Sequence, residues 1–243
     1  MKAILFPGQG SQQVGMGKDL YESSSLAKNI FNLSNNVLGY DITDIMFNGT
    51  IDELKKTDIT QPAIFIHSYV LFKINKIKDF DALAGHSLGE FSAITCAESL
   101  SFEEGLELVL VRARAMQKAC KVNDTTMAAI LGLDDRTVDN ICSEIIDVVP
   151  ANYNCPGQIV ISGSVNSINK ACEIFKENGA KAIPLSVGGA FHSKFMNSAK
   201  MELEDAVMNA NFKSPTKPIY QNFDASKHTD IDKIKKNVIN QLS

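Results

Sequence analysis

The chain has 243 residues, enough for one large domain or for a large domain with a small insert. Hydrophobic residues make up 44% and charged residues 21%, a balance typical of a globular protein. A net charge of −4 argues against broad nucleic-acid binding, which requires a basic face to neutralise phosphates. The 5 cysteines include no C-x-x-C pair, so they predict reduced thiols and neither a disulfide framework nor a zinc site.

The N-terminal residues lack the apolar stretch of a signal peptide. No segment reaches the ~18 consecutive apolar residues that are typical of a membrane span. We therefore expect a cytoplasmic protein that does not bind a membrane.

The first half of the chain combines short apolar runs with longer helical patterns. A buried strand is predicted at 3–6, because an apolar run ends there in Pro7-Gly8-Gln9-Gly10. Thr60-Gln61-Pro62 predicts a helix start, since proline is typical of the first helical turn. Ser101 and Glu104 form a capping-box pattern. The predicted elements are strands at 3–6 and 82–84 and helices at 17–22, 26–38, 60–74, 89–97 and 102–119.

The second half begins with a different pattern. Strands are predicted at 127–131, 149–154, 159–162 and 182–185, and helices at 135–146 and 165–178. This βαββαβ order over about 60 residues is typical of a ferredoxin-like unit, which we place at 125–187 as an insert. A helix near 193–210, a short strand at 218–220 and an amphipathic segment at 231–242 follow it.

The pentapeptide Gly85-His86-Ser87-Leu88-Gly89 matches the G-x-S-x-G nucleophile elbow. In that motif a sharp turn between a strand and a helix exposes the serine oxygen, and the glycines allow the close backbone approach. The N–H groups that begin the following helix would face negative charge developing beside the serine. The alternative is a loop without chemistry, which the flanking strand and helix patterns disfavour. We predict that Ser87 is the nucleophile.

A serine nucleophile needs a positioned base, most often histidine, and the chain has 4 histidines. His67 lies in an apolar helical pattern, and His228 lies in a polar run typical of an exposed loop. His86 precedes Ser87 on the elbow, where its side chain should point away from the serine. His192, between a predicted strand and a predicted helix, is the favoured base. The residues alone identify no third member of a triad.

Arg112 lies at the edge of an apolar stripe on the helix at 102–119. It follows Val109 by three residues and precedes Met116 by four, and both belong to that stripe. A guanidinium at this position needs an acceptor. Two interpretations stay open: a structural salt bridge or snorkelling side chain, and a bidentate site for a substrate carboxylate.

Five ordered segments carry a more specific pattern. They are Phe6-Pro7-Gly8-Gln9-Gly10-Ser11-Gln12, Gly85-His86-Ser87-Leu88-Gly89-Glu90, Arg112 within R-x-x-x-M-Q, Asn152-Tyr153-Asn154-Cys155-Pro156-Gly157-Gln158 and Gly189-Ala190-Phe191-His192-Ser193. Together they resemble the malonyl-CoA:acyl carrier protein transacylases over essentially the whole chain.

The resemblance implies an α/β fold in which an α/β-hydrolase-like large subdomain, 1–124 and 188–243, contains the ferredoxin-like small subdomain, 125–187. It implies transfer of a malonyl group from malonyl-CoA to the phosphopantetheine thiol of acyl carrier protein, in fatty acid or polyketide biosynthesis. Malonyl-CoA and acyl carrier protein are the expected partners of a monomer. No cofactor is expected, because the coenzyme A thioester is a substrate.

The resemblance also implies the chemical roles of four residues. Ser87 would carry the acyl group as an ester, and His192 would act as general base and then as general acid. The backbone N–H groups of Gln9 and Leu88 would form the oxyanion hole.

Five further residues are implied to bind or position the reacting groups. Arg112 would bind the free malonyl carboxylate, and Phe191 goes with malonyl rather than α-methylated units. Asn154 and Gln158 match a loop that borders the active site. Gln241 matches a late glutamine near which a main-chain oxygen orients the histidine.

Chains of this family normally continue for several tens of residues beyond the position matching Ser243. We therefore expect a large subdomain that lacks the family's C-terminal end and is less stable for it. Two other functions stay open. One is an acyl-thioester hydrolase or proofreading relative that uses Ser87 and His192, and the other is an inactive fragment that binds carrier protein.

Overall fold

The computed structural model describes the whole chain, from Met1 to Ser243. It has a mixed α/β structure that divides into two compact units. The first unit is Met1–Arg114 with Glu202–Gln241, and the second is Ala115–Met201 with Leu242–Ser243. The subdomain boundaries proposed from the sequence, at 125 and 187, stay a prediction.

The chain folds into short strands separated by helices of very different lengths. The elements are β1 (Ala3–Phe6), α1 (Lys18–Ser23), α2 (Ser25–Leu38), α3 (Ile42–Asn48), α4 (Ile51–Leu54), α5 (Thr57–Asn75), β2 (Ala82–Gly85), α6 (Gly89–Cys96), α7 (Phe102–Cys120), β3 (Thr125–Leu131), α8 (Asp135–Ser143), β4 (Val148–Cys155), β5 (Gln158–Ser164), α9 (Val165–Glu177), β6 (Lys181–Pro184), a 3₁₀ turn (Lys194–Met196), α10 (Asn197–Asn209), β7 (Ile219–Tyr220), β8 (Lys227–His228) and α11 (Ile231–Asn240). No helix combines the length and the apolar composition needed to cross a membrane.

The first unit is built on a sheet with the strand order β1-β2-β7-β8. The first three strands are parallel, and β8 pairs with β7 in the antiparallel direction. Phe6, the last residue of β1, pairs with Gly85, the last residue of β2. The loops that follow these two strands therefore leave the same edge of the sheet, which is where open α/β sheets bind their ligands.

The second unit contains an antiparallel sheet with the strand order β4-β5-β3-β6. Apolar side chains of this sheet and of helices α8 and α9 form one core. Its fully buried members include Ile161 on β5 and Phe175 on α9. The βαββαβ order of elements predicted from the sequence is confirmed, with boundaries that coincide with the predicted ones or differ from them by up to three residues.

Helix α5 differs from the sequence prediction, because it begins at Thr57 rather than at Thr60. Pro62 therefore lies in the second helical turn, where a proline removes one intrahelical hydrogen bond. The true start carries no capping signal, since Lys56 at the N-cap position makes no side-chain hydrogen bond. Thr60, which resembles a cap in the sequence, instead donates its hydroxyl to the Leu54 carbonyl.

The capping box of α7 is confirmed. The Ser101 hydroxyl accepts from the Glu104 amide at 3.1 Å, and the Glu104 carboxylate accepts from the Ser101 amide at 3.2 Å. The apolar stripe of this helix is buried as predicted. The segment around His228 was predicted as a loop, but Lys227 and His228 form the short strand β8, which pairs with Tyr220 and Ile219.

Candidate active site

Ser87 lies on a sharp turn between β2 and α6. Its φ of 51° is in the left-handed region, which is unusual for a residue with a side chain. The turn is so tight that a Cβ on Gly85 would overlap the backbone of Gly89, and a Cβ on Gly89 would overlap the Phe6 carbonyl. Glycine is therefore required at both ends of the pentapeptide, and the strand–turn–helix context expected of a nucleophile elbow is present.

The loop after β1 packs directly on this turn. The His86 amide donates to the Phe6 carbonyl at 3.0 Å, and a Cβ on Gly8 would lie only 2.5 Å from the His86 carbonyl oxygen. Gln9 in this loop is half-buried, and Leu88 at the start of α6 is buried. The two residues predicted to supply oxyanion-hole amides thus lie in adjacent segments at one edge of the sheet.

Arg112 is a buried cation that contacts the proposed nucleophile. Its side chain is 1% exposed, so it does not snorkel to solvent. One terminal nitrogen donates to the Gln61 amide oxygen at 2.6 Å. The other donates to Ser87 Oγ at 3.0 Å and to Gln241 Oε1 at 3.2 Å. All three acceptors are uncharged, although a cation in a site of low polarity is most stable beside an anion.

The guanidinium retains capacity for a ligand. Its Nε–H is buried and has no hydrogen-bond partner. Burial lowers the pKa of Arg112 to about 10, an effect that the charge of Glu90 opposes. The side chain is therefore positively charged at neutral pH. An unsatisfied donor on a charged group raises the free energy of the site unless a ligand supplies an acceptor.

Gln241 connects this cation to the turn. Its Oε1 accepts from Arg112, while its Nε2 donates to the Ser87 carbonyl at 3.1 Å. Gln61 is fully buried on α5, and the Arg112 guanidinium lies 5.9 Å from the centre of the Phe91 ring. The structure therefore brings together three of the residues singled out from the sequence, Ser87, Arg112 and Gln241.

Glu90, the residue after the pentapeptide, is a fully buried carboxylate. It accepts from the Asn222 amide at 2.8 Å and from Gln221 Nε2 at 2.9 Å. Burial raises the pKa of Glu90 to about 7, even though these hydrogen bonds and the charge of Arg112 act in the opposite direction. The carboxyl group therefore changes its charge near neutral pH.

This pKa predicts a pH-dependent contribution to stability. The folded-state pKa of about 7 exceeds the reference value of 4.5, so the folded protein binds this proton more tightly than the unfolded chain. The stabilisation of the folded state by this bound proton is complete below pH 4.5 and is lost as the pH rises through 7. The loss is roughly 3 kcal/mol, at ~1.4 kcal/mol per pKa unit.

Replacing Glu90 with glutamine should remove this dependence. Denaturant unfolding at pH 5 and at pH 8 should show a smaller decrease in the free energy of unfolding for Glu90→Gln than for the parent. Glu104→Gln is the matched control. The pKa of Glu104 lies below its usual value, so this residue changes charge below the pH range of the experiment. Identical pH slopes for the parent and Glu90→Gln would contradict the prediction.

His192 and Phe191 belong to the second unit. His192 is half-buried and has a φ of 55°, so it too adopts a left-handed backbone conformation. The Phe191 carbonyl accepts from the Ser162 hydroxyl at 2.6 Å, and the Ser193 hydroxyl donates to the Ala190 carbonyl at 2.7 Å. Strained backbone conformations of this kind persist where surrounding contacts enforce them, and they cluster at functional sites.

Asn154 and Gln158 also lie in the second unit, on either side of the turn between β4 and β5. Asn154 is exposed near the end of β4, and Gln158 is half-buried at the start of β5. Gly157 in this turn has a φ of 79°, as a tight hairpin requires. The roles assigned to these two residues stay predictions, as do those of Gln9, Leu88, Phe191 and His192.

Four polar residues of the first unit that contact the site were assigned no role from the sequence. They are Gln61, Glu90, Gln221 and Asn222. Gln61 offers a weak signal, because a glutamine within the apolar pattern of α5 needs a buried partner. Glu90 offers a second weak signal, because it is an acidic residue in α6, a helix whose residues are all buried. Gln221 and Asn222 offer no signal in the sequence, since the residues to which they hydrogen-bond are distant along the chain.

The chain is similar to known proteins over almost its whole length. Residues 4–239 match the acyl transferase domain family. The chain is 40% identical over 245 residues to the malonyl CoA-acyl carrier protein transacylase of Staphylococcus aureus strain MRSA252, covering 99% of this chain and 80% of that protein.

Solved structures give the same result. The malonyl CoA-acyl carrier protein transacylase from Coxiella burnetii superposes with a TM-score of 0.95 at 33% identity, covering 99% of this chain and 78% of that one. A malonyl-transacylase in complex with its type II PKS acyl-carrier protein gives 0.93 at 34% identity, with 99% and 80% covered. The chain therefore belongs to the acyl transferase family and, within it, to the malonyl CoA-acyl carrier protein transacylases.

Proposed function

We propose that this protein takes a malonyl group from malonyl-CoA onto Ser87 and transfers it to the phosphopantetheine thiol of an acyl carrier protein. The observation that carries the proposal is the buried Arg112, which donates a hydrogen bond to Ser87 Oγ. A malonyl group differs from an acetyl group by its free carboxylate. A buried cation beside the nucleophile suits that carboxylate, because it offers charge and donors away from bulk water.

In the first half-reaction, Ser87 Oγ attacks the thioester carbonyl while the His192 imidazole accepts its proton. The tetrahedral intermediate collapses, and coenzyme A leaves as a thiol after receiving that proton from His192. In the second half-reaction, the phosphopantetheine thiol attacks the Ser87 ester and its proton passes to His192. Ser87 then regains a proton as the malonyl thioester leaves.

The backbone amides of Gln9 and Leu88 stabilise the oxyanion in both half-reactions. Removing one such donor typically costs about 3 kcal/mol of transition-state stabilisation. The packing of the loop after β1 on the turn at Ser87 supports this assignment, because a hydrogen bond between His86 and Phe6 holds the two segments together.

Arg112 binds the malonyl carboxylate once Ser87 is acylated. An ester oxygen is a weaker acceptor than a hydroxyl, so acylation releases the Arg112 N–H that now contacts Ser87 Oγ. That donor and the unpartnered Nε–H are then available to the two carboxylate oxygens. Gln61 and Gln241 hold the guanidinium in place through their amide oxygens.

The remaining residues border or orient the reacting groups. The Phe191 ring crowds a 2-methyl substituent and so favours malonyl over methylmalonyl units, by the ~1–3 kcal/mol that one methyl group is worth. Asn154 and Gln158 border the acyl site. Main-chain oxygen near Gln241 orients His192.

We further propose an α/β-hydrolase-like large subdomain with a ferredoxin-like insert at 125–187. The antiparallel order β4-β5-β3-β6 and the βαββαβ sequence of elements support the insert, and the parallel strands leading to the elbow support the large subdomain. The protein acts in the cytoplasm as a monomer without a cofactor, and it binds neither nucleic acid nor membrane.

Incubation with malonyl-CoA and an acyl carrier protein in its phosphopantetheine form tests the function. Malonylated carrier protein is the expected product, and its amount should exceed that of free malonate. Malonate alone would indicate a thioester hydrolase. The absence of both products, with carrier protein still bound, would indicate an inactive binding protein.

A further inference from the structure

The backbone of Ser87 is held in an unfavourable conformation. A φ of 51° is rare for serine and persists only where neighbouring groups stabilise it. The glycines at positions 85 and 89 leave room for the tight turn, in which the Ser87 peptide adopts one orientation. That orientation determines where Ser87 Oγ lies, so the groups that bind this peptide matter for the chemistry.

Asn222 binds both sides of the turn with one carboxamide. Its Oδ1 accepts from the Ser87 amide at 2.6 Å, and its Nδ2 donates to the Gly85 carbonyl at 2.7 Å. These two bonds bridge the last residue of β2 and the nucleophile itself. They are non-local, since Asn222 follows β7, more than a hundred residues later in the chain.

Asn222 is itself held by Glu90. The Asn222 backbone amide donates to Glu90 Oε2 at 2.8 Å, while Gln221 Nε2 donates to Glu90 Oε1 at 2.9 Å. Gln221 Nε2 also reaches the Ile234 carbonyl on α11 at 3.1 Å. The carboxylate of α6 thus fixes the segment after β7 against the same turn that Asn222 bridges.

We infer that Asn222 is a positioning residue for the nucleophile, fixing the Ser87 peptide through its carboxamide while Glu90 fixes Asn222. The inference rests on the proposed function, because Ser87 must be the acylated residue for its position to matter. Both hydrogen bonds of the Asn222 carboxamide go to the backbone of the turn, at Ser87 and Gly85. Loss of Asn222 should therefore slow acylation and leave the recognition of malonyl-CoA unchanged.

The test compares Asn222→Ala with the parent in single-turnover malonylation by malonyl-CoA and in steady-state transfer. We expect the acylation rate and kcat to fall by roughly 10- to 100-fold, the cost of a misplacement of about 1 Å at a reacting atom. KM for malonyl-CoA should stay within about threefold of the parent. Asn211→Ala is the matched control, since Asn211 bonds only to Glu104, away from the turn.

Asn222→Asp provides a second variant of nearly the same shape. An aspartate can still accept from the Ser87 amide, but it cannot donate to the Gly85 carbonyl. Its second carboxylate oxygen faces the Gly85 carbonyl oxygen and repels it, so kcat should fall at least as far as in Asn222→Ala, again with an unchanged KM. Measuring the folded fraction of both variants separates a positioning role from a general loss of stability, because only a loss of stability makes kcat fall in proportion to the folded fraction.

Wild-type rates in both Asn222 variants would overturn the inference, as would losses confined to KM. The proposed function fails in a distinguishable way: the parent protein would then take up no malonyl group, whatever residue occupies position 222.

Discussion

Ser87→Ala should abolish malonyl transfer, and His192→Ala should lower the acylation rate by several orders of magnitude. Without the Ser87 hydroxyl no ester can form. Without the His192 imidazole the hydroxyl must lose its proton to water during attack, which removes general-base catalysis from an otherwise intact site. Single-turnover acylation by malonyl-CoA measures both effects on the same step.

Two substitutions outside the site serve as controls. The Ser226 hydroxyl bonds only to the Asp224 carbonyl at 3.0 Å, and His228 pairs with the Asp224 carboxylate at 2.8 Å. Ser226→Ala and His228→Ala should therefore acylate at the parent rate. Acylation of His192→Ala at the parent rate would remove His192 from the mechanism, and transfer by Ser87→Ala would do the same for Ser87.

Arg112→Ala should lower malonyl transfer by roughly 30- to 1000-fold while acetyl transfer is retained. Loss of a charge-assisted pair in a partly desolvated site costs on the order of 2–4 kcal/mol, which corresponds to this range of kcat/KM. The acetyl group has no free carboxylate, so its transfer does not depend on an ion pair with Arg112. Arg112→Lys should resemble the alanine variant more than the parent, because an ammonium group cannot form two parallel hydrogen bonds in one plane.

The ratio of malonyl to acetyl transfer is the decisive quantity for Arg112. Arg114, two residues further along α7, is exposed, so Arg114→Ala is a matched control that should leave the ratio unchanged. A purely structural Arg112 would lower both activities in parallel as the folded fraction fell. Parallel losses in a folded Arg112→Ala protein would therefore contradict the carboxylate-binding role.

The turn at Ser87 could be predicted from the sequence because its determinants are local. The glycines at 85 and 89 and the apolar runs around them specify a strand, a turn and a helix within about fifteen residues. Arg112 could be singled out for a similar reason, since the helical period alone puts it at the edge of a buried stripe. In the structure it is fully enclosed, and its partners are Gln61 on α5 and Gln241 directly after α11.

The network behind the turn could not be predicted in the same way. Asn222 reaches Ser87 and Gly85 only because β7 pairs with β2 in the sheet, and no local pattern encodes that pairing. The start of α5 also differs from the local sequence pattern. Proline favours a first helical turn, but burial of residues around Pro62 stabilises a helix that begins earlier at Thr57.

Peptide mapping by mass spectrometry tests most directly whether Ser87 carries the malonyl group. The protein is exposed briefly to malonyl-CoA, quenched in acid and digested, and the modified peptide is sequenced. We expect one added malonyl group, located on Ser87 and absent from Ser87→Ala. A malonyl group on any other residue, or an unmodified parent protein, would contradict this role of Ser87.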